Sequence, residues 1–171
     1  MSKISKKVCM LGPFAVGKTS LVRRFVESIF SDKYHTTIGV KISKRVVNLH
    51  DMEILNMIWD VEGTDDFTSL KPSHLRGAAG ILLVVDGTRP KSVEGAKELK
   101  LMIDEHLGKV PLLLLVNKCD LRDEWKIQGG QFDNFIDDDN VIHTSAKTGE
   151  NVESAFTRLN LKMMDAKAQE E

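Results

Sequence analysis

The sequence predicts an α/β fold, a doubly wound and mostly parallel six-stranded sheet with helices on both faces and one antiparallel edge hairpin. Three observations point to it. Short apolar runs alternate with segments of helical period, the pattern of strands and crossover helices. Two of the runs, "ILLVV" and "LLLLV", are apolar throughout, as central strands covered on both faces must be. Two longer runs are separated only by the polar stretch "HDME", which suggests a hairpin at one edge.

The elements follow in order. Strands are expected at Lys7–Leu11, Val40–Leu49, Ile54–Trp59, Ile81–Asp86, Leu112–Asn117 and Val141–Thr144. A helix should begin near Lys18 and bury Leu21, Val22 and Phe25. A weaker one covers roughly Phe67–Leu75, with Pro72 against its continuation. Ser92 is placed to cap a helix carrying Ala96, Leu99, Ile103 and Leu107. Asn151 is placed to cap the last, whose stripe is Val152, Ala155, Phe156, Leu159 and Met163. Arg122–Asp139 is poorly patterned, and its "DDD" reads as a solvated face.

A chain of 171 residues suits one domain, here 1–171 with a core of about 6–164 and a polar tail at 165–171. A formal net charge of -1 supplies no basic field, so nucleic acid is not an expected partner. The 2 cysteines, Cys9 and Cys119, have no metal-like or disulfide-like spacing, which fits a reducing, cytoplasmic setting. The five histidines His35, His50, His74, His106 and His143 show no ligand spacing either. "MSKISKKVCMLG" is not a signal peptide, and "DAKAQEE" offers no cysteine or basic cluster, so no direct membrane anchor is expected.

Residues 12–19, "GPFAVGKT", match the phosphate-binding pattern G-x-x-x-x-G-K-[ST], between an expected strand and helix. Glycines let backbone N–H groups turn toward phosphate oxygens at the helix N-terminus. Lys18 can span the outer two phosphates, and the Thr19 hydroxyl can ligate Mg²⁺. Which base is read depends on "NKCD", residues 117–120, at another strand end. The Asp120 oxygens match the N1–H and exocyclic amine of guanine, whereas adenine has an acceptor where guanine has that N–H. Asn117 can tie the loops together and the Lys118 stem can cover the base face. In the later "TSAK", Ser145 and Ala146 can offer a backbone N–H to the guanine carbonyl.

"GPFAVGKT", "YHTTIGV", "WDVEG", "NKCD" and "TSAK" together resemble the Ras superfamily of small GTPases, most of all its Rab-like branch, in order and spacing. The resemblance runs from about Lys6 to Met164 and implies the small G domain of P-loop NTPases, with GTP or GDP as ligand and Mg²⁺ as cofactor. It implies nucleotide contacts from Ala15, Val16, Gly17, Lys18, Thr19, Ser20, Phe30, Tyr34, Thr37, Gly63, Asn117, Lys118, Asp120, Ser145, Ala146 and Lys147. Thr19, Thr37 and Asp60 would serve the metal, Asp60 through water, and Gly63 would sense the γ-phosphate. Switch order would then depend on that phosphate and govern effector and regulator proteins.

Four features depart from that pattern. The position after Gly63 usually carries a glutamine that orients the attacking water; Thr64 has a shorter stem and one hydroxyl. Phe14 stands where relatives have a small residue, and either blocks the entrance an arginine finger uses or packs on the switch face. Glu62, beside Val61, is either repelled outward by the γ-phosphate or takes over some water positioning. The Rab-like aromatic triad keeps Trp59 but has Ile42 and His74 at the matching positions. With no C-terminal cysteine, the chain resembles unlipidated members of a bacterial type, and a vesicle-trafficking role is not carried over. Lys41, Lys44 and Arg45, with Trp59, mark the hairpin as either a solvated edge or a surface for an acidic partner.

Lys18 is the expected catalytic cation, with Thr64 and Glu62 as candidates for placing the water. The expected activity is slow hydrolysis of GTP to GDP and phosphate. The alternative is a GTP-loaded scaffold whose hydrolysis is vestigial. An ATPase or small-molecule kinase on the same cradle would lack "NKCD" and need an acceptor pocket.

Overall fold

The computed structural model describes residues 2–27, 39–61, 70–128 and 130–170. Six strands form one sheet: β1 (Ser2–Leu11), β2 (Val40–Leu49), β3 (Met52–Val61), β4 (Ala78–Asp86), β5 (Leu112–Asn117) and β6 (Val141–His143), in the order β2-β3-β1-β4-β5-β6. Among the described residues only β2 and β3 pair antiparallel; the other neighbours are parallel. The helices are α1 (Lys18–Glu27), α2 (Pro72–Leu75), α3 (Lys91–Leu107) and α4 (Val152–Glu170).

Alternation along the strands divides the core into two layers. Val8 and Met10 of β1 face α1 and α4, joining Leu21, Phe25, Phe156 and Leu159. Cys9 and Leu11 face the other way, toward Leu75 of α2 and Val93, Ala96, Leu99 and Ile103 of α3. The residues of Ile81–Val85 are all fully buried, because both of their faces are covered. Phe25 and Phe156 stack with centroids 3.6 Å apart, fastening α1 to α4.

Several boundaries differ from the sequence reading. β1 and β3 are longer than their apolar runs, since Ser2–Lys6 pairs with Met52–Asn56 through backbone groups that need no apolar side chain. Only Pro72–Leu75 of the expected second helix is described as helical, with residues 67–69 outside the described part. Ser92 is not a cap: α3 starts at Lys91 behind Pro90, and the Ser92 hydroxyl accepts from Asp86 N–H at 2.9 Å. Asn151 is not a side-chain cap either; at φ 59° its amide donates to the His143 carbonyl at 2.8 Å. α4 continues through the polar residues read as a tail, to Glu170.

The crossover from β5 to β6 has no α-helix among the described residues, only 3₁₀ turns at Arg122–Glu124 and Asp138–Asn140. Parallel strands usually use a helix there. Here Trp125, Ile127, Phe135 and Ile136 pack individually on the α3-side core. The Trp125 ring lies so close to Gly87 that a Cβ there would come within 1.9 Å of it. Asp137, Asp138 and Asp139 are exposed, as their run suggests.

Candidate nucleotide site

At the carboxyl end of β1 the chain turns through residues 12–19 into α1. A Cβ on Gly12 would approach the Val84 carbonyl to 2.5 Å, so the loop can lie against β4 only with glycine there. Gly17 has φ 100°, and a Cβ on it would come within 2.3 Å of Asn117 Nδ2. Ala15 also takes a left-handed conformation, at φ 63°. Val16 is fully buried and anchors the loop, whereas Ser20 in the first turn of α1 is half-buried.

Lys18 is 7% exposed, and its ammonium donates back to the Gly12 carbonyl at 3.1 Å and the Pro13 carbonyl at 3.3 Å. Burial lowers its pKa to about 8, with the Asp60 carboxylate pulling in the opposite direction. Asp60, also buried, sits near the end of β3 opposite Met10. Its Oδ2 accepts from the Thr19 hydroxyl at 2.6 Å. A hydroxyl and a carboxylate brought together in this way are the hard oxygen donors that suit Mg²⁺.

The second loop rises from the end of β5 beside the first. Asn117 Nδ2 donates to the Val16 carbonyl at 3.0 Å, and Asn117 Oδ1 accepts from the Thr144 hydroxyl at 3.1 Å. One amide thus fastens three segments. Lys118, at φ 71°, donates to Asp86 Oδ2 at 2.7 Å and to the Ala15 carbonyl at 3.3 Å. Asp120 Oδ1 accepts from the Ser145 hydroxyl at 2.7 Å. Ser145 and Ala146 are buried, while the Lys147 side chain is exposed. Arg24 of α1 donates to the Ala146 carbonyl at 2.8 Å and also to that of Lys147, holding this third loop against α1.

The fold therefore gathers Ala15, Val16, Gly17, Lys18, Thr19, Ser20, Asp60, Asn117, Lys118, Asp120, Ser145, Ala146 and Lys147 at the carboxyl ends of the sheet. Phe30, Tyr34, Thr37, Glu62, Gly63 and Thr64 lie outside the described residues. Phe14 is 40% exposed, and its carbonyl accepts from Arg89 at 3.2 Å. Sequence reasoning missed Arg24, Asp86, Arg89 and Thr144. For Asp86 the available signal was an acid ending an apolar run, the same signal that singles out Asp60.

On the hairpin, Lys41 and Lys44 are exposed and Ile42 is 47% exposed beside Trp59, its partner in register. Lys7 places its ammonium 3.7 Å above the Trp59 ring. Arg45 is committed within the fold: it pairs with Glu153, donates to the Phe25 carbonyl at 2.6 Å and lies over the Phe25 ring.

The chain is similar to known proteins over most of its length. The Ras family model matches residues 7–165. The human Ras-related protein Rab-8B is 35% identical over 171 residues, covering 94% of this chain and 83% of the relative. Ras-related protein Rab-13 from Bos taurus is 36% identical over 156 residues, covering 90% and 77% respectively. Ras-related protein Rab-10 from Diplobatis ommata is 35% identical over 156 residues, covering 90% and 78%. Among the described residues, no helix is long and apolar enough to cross a membrane.

Proposed function

The chain belongs to the Ras family, on its Rab-like branch, and from that premise we propose that it is a guanine-nucleotide switch that hydrolyses GTP to GDP and phosphate. The observation that supports this reading is the Asn117–Val16 hydrogen bond of 3.0 Å, which holds the loop of residues 117–120 and the loop of residues 12–19 on one rim. In this reading the amides of Ala15, Val16, Gly17, Lys18, Thr19 and Ser20 cradle the phosphates, and the Lys18 ammonium leaves its two loop carbonyls for the outer phosphate oxygens. Asp120 reads the base edge, its orientation fixed by Ser145; the Lys118 stem lies along the base face; and Ala146 and Lys147 close that pocket.

Thr19 and Asp60 fit Mg²⁺, with Thr37 as the further donor that the family pattern supplies. When bound, the ion neutralises charge on the phosphate oxygens. In hydrolysis, water attacks the γ-phosphorus in line, and Lys18 with the loop amides stabilises the charge that develops. Phe30 and Tyr34 would flank the nucleotide, and Gly63 would report the γ-phosphate to Glu62 and Thr64. Effectors and regulators would engage these switches and the hairpin at Lys41, Lys44 and Trp59; Arg45, held by Glu153, would contribute little. We read the chain as one G domain acting in the cytoplasm.

A second reading, a GTP-loaded scaffold with vestigial hydrolysis, is favoured by Thr64 and by the exposed Phe14 within the phosphate loop. One experiment addresses the main reading. The purified chain is loaded with fluorescent GDP and challenged with GTP, GDP and ATP. Displacement by GTP and GDP but not ATP is the expected result; equal displacement by ATP would overturn guanine specificity. Persistence of bound GTP with and without cell extract would favour the scaffold.

A further inference from the structure

Asp86 ends β4 as a carboxylate with no exposed surface. A buried charge must be paired and hydrogen-bonded to be tolerated. Its Oδ1 accepts from Thr88 N–H at 2.8 Å and from the Thr88 hydroxyl at 2.7 Å. Its Oδ2 accepts from Lys118 Nζ at 2.7 Å, and Arg89 Nη1 stands 4.0 Å from the same oxygen. The Asp86 main chain is fixed as well, because its N–H donates to the Ser92 hydroxyl at 2.9 Å. The carboxylate is therefore a rigid anchor between two cations.

Both cations reach the phosphate loop, at successive residues. Arg89 donates to the Phe14 carbonyl at 3.2 Å, and Lys118 donates to the Ala15 carbonyl at 3.3 Å. In a trans peptide the carbonyl and the following N–H point in opposite directions. Holding the Phe14 carbonyl toward Arg89 turns the Ala15 N–H the other way, and holding the Ala15 carbonyl toward Lys118 does the same for the Val16 N–H. Ala15 needs such support, since its φ of 63° is unfavourable for a residue with a side chain.

We propose that Asp86 is a positioning residue for the nucleotide site: through Lys118 and Arg89 it sets the orientation of the Ala15 and Val16 amide donors and so couples the base loop to the phosphate loop. The assignment rests on the nucleotide reading above. Asp86 itself touches neither base nor phosphate in this account. Asp86→Asn preserves the shape and the bonds from Thr88 but removes the charge that holds the cations.

The test measures release of fluorescent GDP from the natural chain, Asp86→Asn, Arg89→Met, the double variant Arg89→Met/Lys118→Met, and the triple variant. Asp86→Asn should release GDP about tenfold faster, the size of one charge-assisted hydrogen bond. Arg89→Met should also release it faster, with an unchanged melting temperature in the nucleotide-free chain. Adding Asp86→Asn to the double variant should change release by less than about twofold, because the groups it acts through are gone. A merely structural Asp86 would instead speed release equally in both backgrounds, and that result would overturn the proposal. Should Asp86→Asn fail to fold, Arg89→Met decides: release at the natural rate overturns the assignment. Failure of the natural chain to retain GDP at all would overturn the nucleotide reading itself, a result distinct from retention with unaltered release in the variants.

Discussion

The hydroxyl of Thr19 and the carboxylate of Asp60 meet at 2.6 Å, although 41 residues separate them in the chain. α1 presents the first in its opening turn, and β3, paired with β1 in register Met10↔Asp60, presents the second. Each makes a poor cation site alone; together they present two hard oxygens beside the phosphate cradle.

Divalent-metal removal should therefore loosen nucleotide. Chelation with EDTA is expected to speed fluorescent-GDP release by about tenfold or more, the loss of at least one ionic contact. Thr19→Ala should release GDP quickly even in excess Mg²⁺, and chelation should add little to it. Release from the natural chain that ignores EDTA would contradict a metal role for this pair.

The buried Lys18 makes a pH prediction whose sign is the reverse of an ordinary surface lysine. Its folded pKa is lowered to about 8 by burial, below the 10.5 of an unperturbed lysine. Between those values the unfolded chain binds more protons, so this group's contribution to stability rises with pH from about 8 to 10.5 and is unfavourable below. The nucleotide-free Lys18→Met variant should thus gain stability relative to the natural chain near neutrality, and the gap should narrow above pH 8. Phosphate binding runs the other way, because it needs the ammonium. GDP affinity should fall as pH rises past about 8, by up to tenfold per unit. Paired denaturant and binding titrations across pH 7 to 10 would check both; parallel stability profiles for the two proteins would refute the assignment.

Asn56 and Asn160 exchange amide hydrogen bonds, both at 3.0 Å, with neither side chain exposed. The pair joins β3 to α4 inside an otherwise apolar layer. Asn56→Ala strands the Asn160 amide, which keeps only its bond to the Phe156 carbonyl, and should cost about 1–3 kcal/mol in urea unfolding. Adding Asn160→Ala should cost clearly less than it does alone, since the partner is already lost. Strict additivity would show that the two amides act independently.

What the sequence made legible follows from which interactions leave a one-dimensional trace. β5 was readable at both ends because coverage on both faces demands an unbroken apolar run, and Asn117 ends that run abruptly. The phosphate loop was readable because its glycines answer to local backbone geometry at Gly17 and to close approach at Gly12. Ser92 and Asn151 misled, since a residue suited to cap a helix is equally suited to bond elsewhere in a turn. Asp86 went unassigned for a different reason. Its partner Lys118 comes from the next strand's end, and only the β4–β5 register Asp86↔Asn117 brings them side by side. Arg24 likewise acts across 122 residues on the Ala146 carbonyl, a contact no local pattern announces.

The rate at which the switch resets is expected to depend on the residue after Gly63. Thr64 has a single hydroxyl on a short stem, and cannot donate to one oxygen while accepting from another at the reach of a glutamine. Unassisted turnover is accordingly expected on the order of 10⁻³ s⁻¹ or below, since family members that carry the glutamine are already that slow. A single-turnover assay of phosphate release should find the natural chain slower than Thr64→Gln. Intrinsic hydrolysis two decades faster than expected would refute the argument from stem length. Equal rates in the two proteins would show that Thr64 does not limit the reaction, and would move attention to Glu62, two residues earlier, or to a residue supplied by a partner.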